Sequence, residues 1–72
     1  MQIKDLANEL KRQYFSAPEK EKAVTVHLFG IKFADQIDGK SCKEIATLAG
    51  INESYGTEIR KGVNLAKYVK LR

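Results

Sequence analysis

The segment from Ser41 to Ile59, SCKEIATLAGINESYGTEI, admits few folds, because it places a helix start, a helix stop and a second helix start close together. Ser41 followed by Glu44 forms a capping box: the hydroxyl serves the third amide of the new helix, and the carboxylate reaches back to the first. Ile45, Ala46, Leu48 and Ala49 then recur at the three-and-four spacing of one buried stripe. Gly50 supplies a residue that turns left-handed at almost no steric cost, and it ends the helix. Ile51 follows as an apolar plug, and Asn52 is an N-cap for a second helix whose buried line includes Tyr55 and Ile59.

This arrangement resembles the helix-turn-helix of small bacterial and phage DNA-binding proteins. In that motif a small residue in the first helix lets the second pack closely, a glycine follows four residues later, and a branched apolar residue comes next. Ala46, Gly50 and Ile51 fit those places, with Ile45 and Ala49 as neighbours. The resemblance covers residues 41 to 59. It departs at Gly56, where the motif usually carries a branched aliphatic residue. A glycine inside a helix costs about 0.5–1 kcal/mol relative to alanine. The departure therefore predicts a second helix that starts late or sits displaced, with Tyr55 and Ile59 taking over the packing. The resemblance implies double-stranded DNA as the partner, with the helix from about Cys42 to Ala49 across the backbone and residues 53 to 64 in the major groove.

With 72 residues the chain makes one domain, residues 1 to 72, with a core just large enough to fold unaided. The net charge of +4 is unevenly placed. Residues 1 to 38 are neutral. In residues 39 to 72, Lys40, Lys43, Arg60, Lys61, Lys67, Lys70 and Arg72 outnumber Glu44, Glu53 and Glu58. All of the excess lies in the half that carries the motif, as phosphate binding requires, although a basic half is also what an ordinary solvated surface looks like.

The whole chain reads as all-α, a small bundle of about four helices. Ile3, Leu6, Ala7, Leu10 and Tyr14 make an amphipathic helix of residues 2 to 15. Pro18 with Glu19 and Glu21 resembles the first turn of the next helix. From Ala23 to Ile37 the chain is apolar nearly all round, with Val24, Leu28 and Ile31 on one side and Val26, Phe29, Phe33 and Ile37 on the other. A helix there is buried on both flanks. The run AVTVHLFGIKF also alternates as a strand does, but no second strand pairs with it, so the helix is the expectation for residues 23 to 33. Asp38-Gly39 turns the chain into the capping box.

In the last helix, extended to about residue 70, Tyr55, Gly62, Val63, Ala66 and Val69 share the buried side with Ile59. The opposite side first presents polar residues. Ser54, Thr57, Lys61 and Asn64 are the candidate base readers, and Lys40, Lys43, Arg60 and Lys67 the candidate phosphate contacts. It then turns apolar at Leu65, Tyr68 and Leu71. Either the N-terminal helix covers that stripe or a second copy does, making a homodimer for two half-sites.

No other constellation carries chemistry. His27 lacks the partners of a metal site, and one cysteine with one histidine cannot build the usual zinc centre. Cys42 stands at a helix N-terminus, which lowers a thiol's pKa, but no histidine base accompanies it in sequence. Asp35 and Asp38 read as helix termination, and Gly56 and Gly62 as close packing or a bend. The expectation is a cytoplasmic binding protein with no enzymatic activity, no cofactor, no metal, no small-molecule substrate and no membrane segment. Its leading role is a transcriptional regulator or accessory factor. The alternative is a protein-interaction module or antitoxin-like adaptor that keeps the architecture without touching DNA, a reading that Glu53 and Glu58 favour by repelling phosphate.

Overall fold

The computed structural model describes residues 1–69. Five α-helices and one 3-10 turn make an all-α globule: α1 (Ile3–Ser16), the turn Glu19–Glu21, α2 (Lys22–Lys32), α3 (Ala34–Ile37), α4 (Cys42–Leu48) and α5 (Tyr55–Leu65). One core of Leu6, Ala7, Leu10, Val26, Phe29, Ile37, Cys42, Ile45, Ala46, Ala49, Ile51 and Ile59 joins them. The α1 stripe supplies three of these residues and packs on α4 and α2. Lys22 closes the end of α1, donating from Nζ to the carbonyls of Tyr14 and Ala17 at 2.9 and 3.2 Å.

The apolar segment departs from expectation in two ways. It is helical but buried on one flank only: Val26, Phe29 and Ile37 are inaccessible, whereas Val24 is 52% and Leu28 43% exposed. It also divides in two, which raises the helix count from four to five. Phe33 sits at φ −106°, ψ 21°, off helical geometry. Its N–H closes α2 on the Phe29 carbonyl at 3.0 Å, while its own carbonyl accepts from Gln36 and Ile37 at 2.9 Å each. Period alone misleads here, because a helix apolar all round is buried only where neighbours exist on both sides.

Gly30 on α2 and Gly62 on α5 make the principal crossing. A methyl group on Gly30 would stand 2.5 Å from the Ile59 carbonyl oxygen and 3.0 Å from Gly62 Cα, and one on Gly62 would overlap the His27 carbonyl oxygen. The two backbones touch where neither residue has a side chain. Gly30 thus secures the packing of the helix that it weakens by propensity.

In the motif, Ser41 Oγ accepts from the Glu44 N–H at 3.2 Å, which forms the hydroxyl half of the expected capping box; the Glu44 carboxylate does not reach back to the Ser41 N–H. Gly50 turns with φ +80°; its N–H donates to Thr47 and that of Ile51 to Ala46, at 3.1 and 3.2 Å. These are the paired bonds of a Schellman stop. Leu48 is not in the buried stripe: it is 53% exposed, while Ile45, Ala46 and Ala49 are buried. We expect Ser41→Ala to lower the unfolding free energy by about 0.5–2 kcal/mol through the lost cap. Urea unfolding followed by circular dichroism measures it, and an unchanged midpoint would show that the cap carries no stability.

The second motif helix starts late. Asn52 is not its N-cap; its Oδ1 accepts from the Ser54 N–H at 2.9 Å and its carbonyl from Tyr55 at 3.0 Å, a turn that leads into α5 at Tyr55, two residues later than an Asn52 cap implies. Gly56 lies against the first turn of α4, where an added methyl would meet Lys43 Cα at 2.8 Å. The departure from the usual aliphatic residue therefore corresponds to close backbone packing at this point. At its far end α5 stops at Leu65 rather than near residue 70, as the Ala66 N–H is shared between the Gly62 and Val63 carbonyls. Tyr68 falls in the turn beyond, and Val69, expected on the buried side, is 43% exposed.

Candidate nucleic-acid interface

The late start of α5 and the contact of Gly56 with α4 open a groove between the two motif helices. Lys43, Asn52, Glu53, Ser54, Gly56, Thr57 and Arg60 line it. Arg60 reaches back from α5 to donate to the Lys40 carbonyl at 3.5 Å, and Lys40 Nζ donates to the Gln36 carbonyl at 2.9 Å. Lys43 and Arg60 thus stand together in the groove, while Lys40 meets Arg60 through its carbonyl and turns its ammonium to Gln36. Cys42 lies beneath them and is buried. Burial pushes its thiol pKa up against the opposing pull of Arg60, so the helix N-terminus does not make it a reactive thiolate.

Ser54, Thr57, Lys61 and Asn64 are all exposed, and at 100° per residue they fall on one face, opposite the buried Ile59 and Gly62. This face offers hydroxyl, amide and ammonium groups with no apolar side chain among them. The carboxylates of this segment, Glu53 just before α5 and Glu58 within it, are each paired. Glu53 lies 3.7 Å from Lys43 across the groove. Glu58 holds His27 of α2 at 2.9 Å and Lys61 at 3.1 Å. Lys61 first and His27 second keep the Glu58 carboxyl below its ordinary pKa.

Lys67 stands apart from the other candidate phosphate contacts, in a depression with Ala34, Asp35, Asp38, Val63 and Ala66. Two carboxylates there make a poor setting for phosphate. The N-terminal helix does not cover the apolar stripe: Leu65 is 45% and Tyr68 83% exposed, because the α1 stripe is already used in the core. Leu71 lies outside the described residues. Sequence reasoning missed Asn52 as a wall of the groove, reading it as a cap. Gly56 was the available signal, since a glycine at that place marks where two helices come close and the surface beside them dips.

A family model described as "HTH-like domain" matches residues 2–72, nearly the whole chain. The chain belongs to this HTH-like domain family. No curated protein and no solved structure matches it. As an HTH-like domain it carries the helix-turn-helix in α4 and α5, and α1 to α3 form the scaffold that supports it. No helix among the described residues is long and apolar enough to cross a membrane.

Proposed function

We propose that this HTH-like domain is a small binding protein for double-stranded DNA, acting as a transcriptional regulator or accessory factor in the cytoplasm and not as an enzyme. The observation that carries the reading is the groove in which Ser54 and Thr57, from the leading part of the polar face, stand with Lys43 and Arg60. In this arrangement α4 lies over the phosphate backbone and α5 enters the major groove. Lys43 and Arg60 position the protein on phosphates; Ser54, Thr57, Lys61 and Asn64 face base edges. Leu65 and Tyr68 are assigned to a second copy, since a single short helix reads only a half-site.

A second reading, a protein-interaction module, draws on the exposed Val24, Leu28, Leu65 and Tyr68. Alanine variants separate the two. Lys43→Ala and Arg60→Ala are expected to weaken binding to all duplexes alike and each to reduce the salt slope by about one contact. Thr57→Ala and Asn64→Ala are expected to cost roughly 1–3 kcal/mol on a selected site and little on random sequence. Fluorescence anisotropy of labelled duplex reads both effects, and four variants indistinguishable from wild type would remove α5 from the interface.

A further inference from the structure

The carboxylates of Glu53, in the turn before α5, and of Glu58, within α5, are neutralised differently, and the difference singles out Glu53. Glu58 has two partners at hydrogen-bonding distance, one of them His27 on another helix, and its side chain is only 26% exposed. It is fixed within the fold. Glu53 has one ion-pair partner, Lys43, at 3.7 Å; both side chains are mostly exposed, at 63% and 70%, and both line the groove. A pair of this kind is weak in water and easily exchanged. Glu53 therefore occupies, on Lys43, the position that a phosphate oxygen takes when DNA binds.

The exchange has a consequence for sequence preference. Once Lys43 turns to phosphate, Glu53 is left as an unpaired carboxylate at the leading end of α5, inside the field of a polyanion. That state is unfavourable on any duplex unless a donor replaces the ammonium. Among major-groove edges the cytosine amino group is the donor that a carboxylate accepts from, whereas guanine shows only acceptors and thymine an acceptor and a methyl group. Adenine's amino group stands beside its N7 acceptor, which repels a carboxylate.

We propose that Glu53 is a specificity-determining residue of the DNA-binding site: it is the resident counterion of Lys43 in the free protein and selects a cytosine under the start of α5 in the complex. This rests on the DNA reading above. It also gives Glu53, which taken alone speaks against DNA, a role within the site: its charge lowers affinity for random sequence and is satisfied on the right one.

The test compares wild type with Glu53→Gln, first by selection from a randomised duplex pool and then by titration of the selected and random duplexes. Glu53 is exposed and Lys43 is its one ion-pair partner among the described residues, so the substitution keeps the fold, which circular dichroism verifies. Wild type is expected to select a fixed cytosine at one position and to lose about tenfold when that base pair is replaced. Glu53→Gln is expected to bind random duplex severalfold more tightly and to lose the cytosine preference. Equal random-sequence affinity and unchanged base preference in the variant would overturn the role of Glu53 while leaving the DNA reading intact. Failure of wild type to bind any duplex at low salt would overturn both.

Discussion

Replacing Gly62 with alanine is expected to lower stability by about 1–3 kcal/mol, against the intrinsic preference of the helix. In an exposed helix interior the same change stabilises by about 0.5–1 kcal/mol, so the sign of the effect is the diagnostic. The added methyl would overlap the His27 carbonyl oxygen and stand 3.0 Å from Gly30 Cα. Both obstacles are backbone, and neither yields by a rotamer change. Relief requires α5 to move off α2, which disturbs the fully buried Phe29 and Ile59 as well as the His27–Glu58 bond. For a domain of this size each kcal/mol corresponds to about 4–8 °C in melting temperature. A calorimetric or dichroism melt of Gly62→Ala should therefore fall well below wild type. A raised Tm would mean that α2 and α5 do not cross at these glycines.

The motif was legible because its signals are local. Ser41, Gly50 and Ile51 act through bonds to backbone groups within five residues, and the Ser41 cap and Schellman geometry carry over from sequence without knowledge of the rest of the fold. The α1 stripe was legible for the same reason. What failed was the reading of which apolar faces have cover. Val24, Leu28 and Leu48 look as buried as Val26 or Ile45 by spacing, and only the placement of α1 and α5 decides which side has cover. The break at Phe33 and the end of α5 at Leu65 carry no glycine or proline to mark them.

The candidate site divides along the same line. Ser54, Thr57, Lys61 and Asn64 share a face because helical periodicity says so, and α5 is a helix. That Lys43 and Arg60 border one groove, whereas Lys67 sits with Asp35 and Asp38, depends on how α5 lies against α3 and α4. The charge count of the C-terminal half treats these basic residues as equivalent. Packing does not. The pairing of Glu53 with Lys43 and of Glu58 with His27 was equally out of reach, since each joins residues of different helical segments.

The second large effect concerns the interface itself. If Lys40, Lys43 and Arg60 each meet a phosphate, about three counterions' worth of contacts are made, with a slope of roughly −0.9 per contact in log K against log salt. A rise from about 50 to about 200 mM salt then weakens binding roughly fortyfold. Surfaces made by Leu65, Tyr68, Val24 and Leu28 have no such dependence, because burial of apolar groups is not relieved by screening. The decisive measurement is a titration of labelled random duplex with the 72-residue protein at these two salt concentrations. Binding at the lower salt that falls by roughly fortyfold at the higher is the result predicted. No binding at either, or an affinity indifferent to salt, would contradict it.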